Sequence, residues 1–179
     1  MNNKTKDYVL MAMYAALAMA LKYVGEFIPF LQMPQGGSIE IELIPIFMAS
    51  YQLGWKKGVI TGLVWWLMGF MMGFNNWYLT PVQYVLDYIV PLSICGLASL
   101  IPNTKNLYLG VIVTMVLKYM SHVLAGVYFW FPETTYAGSL ESWIYSLGYN
   151  VWYCLATAIV CIIVVPVLAK RLGSRFSNK

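Results

Sequence analysis

Sorted into apolar and polar positions, the chain falls into six apolar runs joined by short polar connections, at about residues 8 to 30, 43 to 53, 59 to 73, 81 to 101, 107 to 131 and 142 to 168. A helix rises about 1.5 Å per residue, so roughly 20 apolar residues cross a bilayer core. The pattern therefore predicts an all-α, polytopic membrane protein with six transmembrane helices. The second run is short and contains Pro45, so it is expected to begin among acidic residues and to lie partly buried in protein. Gly36-Gly37 supplies the backbone freedom for a tight re-entry in the connection before it, and Trp55-Lys56-Lys57-Gly58 is expected to turn after it.

The runs are interrupted by polar residues at helical spacing. In the fourth, Pro81 fits a first helical position, and Gln83, Asp87 and Pro91 follow at steps of four with Tyr84 and Tyr88 beside them. An Asp at mid-membrane costs about 2.5 to 3.5 kcal/mol on insertion scales, so Asp87 is expected to face a cavity, a partner or a substrate. The fifth run carries Lys118, His122, Gly126 and Trp130 at steps of four, with Lys118 read as bonding a carbonyl or snorkelling. The sixth opens with Tyr145, Ser146, Tyr149, Asn150, Tyr153 and Thr157. These stripes occupy the same half of the membrane, which implies a pocket opening outward.

That pocket would hold the Asp87 carboxylate, the His122 imidazole, the Asn150 amide and aromatic walls from Trp77, Tyr84, Tyr88, Trp130 and Tyr145. Glu40 and Glu42 are two residues apart, so at most one of them faces the site, and Glu40 is favoured. Carboxylates among aromatic rings suit a flat organic cation, which ring faces attract by about 2 kcal/mol when desolvated. Trp55, Trp65, Trp143 and Trp152 read as interface belt or bundle filler. In the first run Ala12, Ala16 and Ala20 form a small-residue face, which serves equally well for packing inside the bundle or for docking another subunit.

Composition supports the membrane reading. The 179 residues are 60% hydrophobic and 10% charged, against about 25% charged in an ordinary globular protein. One integral membrane domain over residues 1–179 is expected, its first run a retained span rather than a signal peptide. The net charge of +4 does not point to nucleic acid, because Lys4, Lys6, Lys56, Lys57, Lys105, Lys170, Arg171, Arg175 and Lys179 fall in the tails and alternate connections. By the positive-inside rule both termini are cytoplasmic. Cys95, Cys154 and Cys161 lack metal-ligand spacing and are expected to pack. Hydrolase, dinucleotide and P-loop motifs are missing, so catalysis has little support and energy would come from a partner or a gradient.

The segments MAMYAALA, MPQGGSIEIELIPI, PVQYVLDYIVP, LKYMSHVLAGVYFW and YSLGYN, in that order, resemble the thiamine-specific substrate-binding subunits (S components, ThiT type) of energy-coupling factor transporters. The resemblance implies a six-helix fold in the cell membrane that binds thiamine in an outward pocket, has no cofactor of its own, and associates with a transmembrane coupling subunit and two ATPase subunits. It implies ligand contacts at Asp87 and Tyr88, at His122 and Trp130 with Gly126 between them, at Tyr145 and Asn150, at Glu40, and at Trp77. It also implies that Ala12 and Ala16 dock the coupling partner. Some relatives have Glu at Asp87, Tyr at Trp77 and Trp near Gly36. The competing readings are an S component for another flat vitamin or a thiamine precursor, and a small intramembrane enzyme.

Overall fold

The computed structural model describes residues 3–33, 36–74, 77–101 and 107–172. Lys105, Arg175 and Lys179 of the expected cationic rim lie outside them, as do Pro34 and Gln35 of the first connection. Six helices make up the bundle: α1 (Asn3–Glu26), α2 (Leu43–Leu53), α3 (Trp55–Met71), α4, α5 (Tyr108–Phe129) and α6 (Leu140–Leu172). The fourth is continuous through three geometries, an α turn at Pro81–Tyr84, a π turn at Val85–Ile89 and an α segment at Val90–Gly96. Helices α1, α5 and α6 are each long and apolar enough to cross a membrane.

At 11 residues, α2 is too short for that. It spans about 16 Å, roughly half of a bilayer core. Its environment explains how so apolar a fragment is accommodated: Leu43, Ile46, Phe47 and Ala49 have no exposure, because α2 packs against α1, α3, α4 and α6. A core forms around it from Ala18 and Met19 of α1, Trp65 of α3, Leu92 and Cys95 of α4, Val111 and Met115 of α5, and Cys161 and Val165 of α6. The cysteines are packing residues here, as their spacing implied.

The turn between α2 and α3 differs from expectation. Trp55-Lys56-Lys57-Gly58 is already the first turn of α3, and the chain reverses at Gly54 alone, whose φ of 88° favours glycine. Gly58 has another task. A Cβ there would lie 2.6 Å from the Gly96 carbonyl oxygen and 2.7 Å from Ser50 Cα, so α2, α3 and α4 cross with their backbones nearly touching. Ser50 Oγ bonds the Gly96 carbonyl at 2.6 Å across the same crossing. At this end of the bundle Lys57 also pairs with Asp7 at 2.6 Å, joining the starts of α1 and α3.

Away from that end the polar residues gather. The connection after α1 folds into a tight hairpin, in which the Ile39 N–H bonds the Leu31 carbonyl and the Met33 N–H bonds the Gly37 carbonyl. It is fastened to α6, since Tyr149 donates to the Gly36 carbonyl at 2.8 Å and the Glu40 N–H donates to Thr157 Oγ1 at 3.0 Å. Gly37 meets the Tyr153 ring so closely that a Cβ would lie 3.0 Å from it. Residues 36–42 are thereby held against the half of the bundle that contains Asp87.

Candidate functional site

Asp87 faces inward. Its helix begins at Pro81, capped by the Thr80 hydroxyl, which accepts from the Gln83 N–H at 3.1 Å. One turn later the Val90 N–H bonds the Val85 carbonyl, five residues back instead of four. The cause can be read in the residues. Pro91 has no N–H to offer the carbonyls of Leu86 or Asp87, so a regular ladder cannot continue through them. Ser121 of α5 supplies the missing donor, its hydroxyl bonding the Leu86 carbonyl at 2.6 Å. The wide turn that results carries Asp87 and Tyr88, and π turns often mark functional sites.

The Asp87 carboxylate receives donors from two helices. Gln83 Nε2 at 2.6 Å and Trp130 Nε1 at 2.8 Å both donate to Oδ2, while His122 Nδ1 lies 3.4 Å from Oδ1. His122 continues a polar chain into the bundle: its Nε2 lies 2.6 Å from Lys118 Nζ, and Lys118 Nζ lies 2.7 Å from Glu40 Oε2. That last contact is an ion pair by distance although it misses hydrogen-bond geometry. An ammonium can only donate, so Nε2 of His122 accepts, and the imidazole proton sits on Nδ1, toward Asp87. Lys118 and Glu40 offset each other. Among the described residues the Asp87 carboxylate has neither a lysine nor an arginine in ion-pair contact.

Lys118 departs most from expectation. It neither snorkels nor bonds a carbonyl, but is 1% exposed and braced between His122 and Glu40. The two glutamates part as their spacing required, Glu40 toward Lys118 and Glu42 toward Lys22 at 3.7 Å. Lys22 also pairs with Glu26 at 2.8 Å, one turn on. Burial pushes the Glu42 carboxyl up to about 7 against the opposing pull of Lys22. Burial acts the same way on Glu40, but the charges facing it, Lys118 first, hold its carboxyl below the usual range.

Aromatic side chains surround this chain of polar groups. Trp77 and Trp130 meet edge to face with centroids 6.3 Å apart, Trp77 being 67% exposed. Tyr88 donates to the Trp77 carbonyl at 3.4 Å and packs on Tyr84 with ring centroids 4.7 Å apart. Tyr84 turns toward α3, where the Trp66 indole donates to its hydroxyl at 3.2 Å. On α6 Tyr145 stacks on Tyr149, and the Tyr153 ring lies 6.0 Å from that of His122. Asn150 is buried and engaged at both ends, donating to the Ser146 carbonyl at 2.9 Å and accepting from the Tyr153 hydroxyl. Gly126 lies at the α5–α6 crossing, where any Cβ would collide with the Ser146 side chain.

The structure therefore brings Asp87, Tyr88, His122, Trp130 and Trp77 into one cluster that Glu40 joins through Lys118. Asn150 reaches it through Tyr153, Tyr145 is linked to it through the rings of Tyr149 and Tyr153, and Gly126 and Tyr84 border it through packing. Sequence reasoning undervalued Gln83, Lys118 and Tyr153. The available signal was position, because each lies on a stripe already marked as polar, one turn from a chosen residue. A separate recess of about 260 Å³, lined by Asn3, Lys6, Asp7, Leu10, Gln52 and Leu53, lies at the Lys57 end and lacks aromatic walls.

Comparison with known proteins identifies the family and the fold. The family model described as "Thiamine transporter protein (Thia_YuaJ)" matches residues 8–177. The chain belongs to this family. It is 36% identical over 183 residues to the Thiamine transporter ThiT of Bacillus subtilis, covering 93% of each chain, and 28% identical over 195 residues to the ThiT of Lacticaseibacillus paracasei, covering 94% of this chain and 92% of that one. The solved structure of ThiT from Listeria monocytogenes superposes with a TM-score of 0.80 at 24% identity, over 98% of this chain and 99% of that one. The six-helix architecture is thus the fold of this family, and the chain is a multi-pass membrane protein.

Proposed function

We propose that the protein binds thiamine in the membrane and hands it to an importer, with Asp87 countering the charge of the thiazolium ring. The observation that carries this reading is the Asp87 carboxylate, held by Gln83, Trp130 and His122 but without a lysine or arginine against it among the described residues, beside the rings of Trp77, Tyr88 and Trp130. Thiamine is a singly charged cation whose flat thiazolium ring is joined through a methylene to a flat, hydrogen-bonding aminopyrimidine ring. Trp77, Tyr88, Trp130 and Tyr145 would stack on its rings or attract its charge, Tyr84 would back Tyr88, and His122, Asn150 and Glu40 would meet its polar groups. Gly126 would keep α6 close enough to complete the wall.

The remaining roles follow from the same reading. Both termini lie in the cytoplasm and the site opens outward, which the cationic ends of α1, α3 and α6 support. Uptake draws on a transmembrane coupling subunit and two ATPases, because the chain has no phosphate-binding loop of its own. Ala12 and Ala16 dock that coupling subunit; both are exposed on α1, while Ala15 and Ala18 pack inside, so the small-residue face is not consumed within the bundle.

Titrating the purified protein with thiamine while following tryptophan fluorescence tests the central point. Saturable quenching is expected, with thiamine recovered intact by mass spectrometry. Absence of binding, or chemical conversion of the vitamin, overturns the proposal.

A further inference from the structure

Gln83 is fully buried, and its carboxamide is used completely. Oε1 accepts from the Leu79 N–H at 3.0 Å, and Nε2 donates to the Trp77 carbonyl at 3.3 Å and to Asp87 Oδ2 at 2.6 Å. A carboxamide has one acceptor oxygen and two N–H donors, and each is spoken for. The Leu79 N–H also fixes which way the group faces, because a backbone donor must meet the oxygen. The NH2 end is therefore committed to Asp87 and to Trp77.

We infer that Gln83 is a positioning residue for thiamine, locking the Asp87 carboxylate and the Trp77 segment into one rigid unit before the vitamin arrives. The inference rests on the thiamine reading above. Gln83 and Trp130 both load Oδ2, so Oδ1, with its long contact to His122, is the oxygen turned to the ligand. Without Gln83 the carboxylate would rotate about its own bond and share the charge between both oxygens and water. The Trp77 backbone would lose a tie to α4 at the same time, so anion and ring wall would no longer hold one spacing. Preset geometry of this kind raises affinity by removing the ordering cost at the moment of binding.

The test is a double-mutant cycle on the full-length protein in detergent, with thiamine as the probe. Gln83→Met keeps the volume and removes every hydrogen bond; Gln83→Asn keeps the amide but is one methylene too short, and serves if the first variant does not fold. In the wild-type background either change is expected to weaken thiamine binding about 10-fold. In the Asp87→Asn background the same change is expected to weaken it by only about 2- to 3-fold, because the group that Gln83 orients has lost its charge and the tie to Trp77 alone is left to lose. Equal losses in both backgrounds, or no loss in the first, overturn the inference while leaving thiamine binding intact. A wild-type protein that binds no thiamine overturns the functional reading itself, and this inference with it.

Discussion

The same helices build two unlike halves. Toward the Lys57 end, α2, α3 and α4 meet through Gly58 and Gly96, the core is apolar, and hydrogen bonds such as that of Ser50 run to backbone. Around Asp87 the contacts between elements run through the side chains of Gln83, Trp130, His122, Lys118 and Glu40. Where backbones touch there is no room for a ligand and little for rearrangement. Where side chains bridge the gap, each polar atom is a group that a ligand can replace. The contrast explains how a small bundle can be firm at one end and receptive at the other.

Substitutions that confuse the two halves sharpen this contrast. The largest effect is expected from Lys118→Met, which leaves Glu40 buried without its cation; a loss of about 3 to 5 kcal/mol should appear in thermal unfolding in detergent. Adding Glu40→Gln should recover part of it, and no recovery would mean that the pair is not coupled. Gly58→Ala comes next, with about 3 kcal/mol lost to overpacking at the backbone crossing, while whatever protein folds binds thiamine unchanged. An altered affinity in that variant would show that the halves are not separable.

Asp87→Asn should reverse the pattern. Thiamine affinity falls about 100-fold, or about 2.7 kcal/mol, with the unfolding temperature of the ligand-free protein nearly unchanged. Equal affinity in a titration would remove Asp87 from the site. Ser121→Ala is the mildest, about 1 kcal/mol of stability from the unpaired Leu86 carbonyl, and hydrogen exchange localised to α4 would report it.

Much of this was legible in the sequence, for reasons that differ by residue. The helices follow from apolar runs because a membrane leaves backbone no other partner than itself. Asp87 facing inward follows from cost, since a carboxylate cannot be left in lipid. The depth of Lys118 did not follow, because a lysine near a helix middle has two inexpensive escapes, snorkelling and pairing, and only the position of Glu40 decides between them. Glu40 sits on an irregular connection whose path depends on Tyr149, Tyr153 and Thr157 of a helix more than 100 residues away. Gly58 was read as a turn because glycine beside lysines has that local look, whereas its demand comes from Gly96 across the bundle. The wide turn at Val85–Ile89 escaped notice because Pro91 allows several remedies and Ser121 selects one.

That wide turn is an α-helix carrying one residue more than its pitch accommodates. Deleting one residue between Val85 and Ile89 would let the helix wind regularly while the turns before and after it keep their facing, because the wide turn absorbs the rotation of the added residue. Gln83 and Tyr84 would keep their direction, while the widened backbone that carries Asp87 and Tyr88 would be gone. The count of residues along α4 therefore decides where Asp87 and Tyr88 sit, and a chain one residue shorter there would keep the flanking turns but lose that placement.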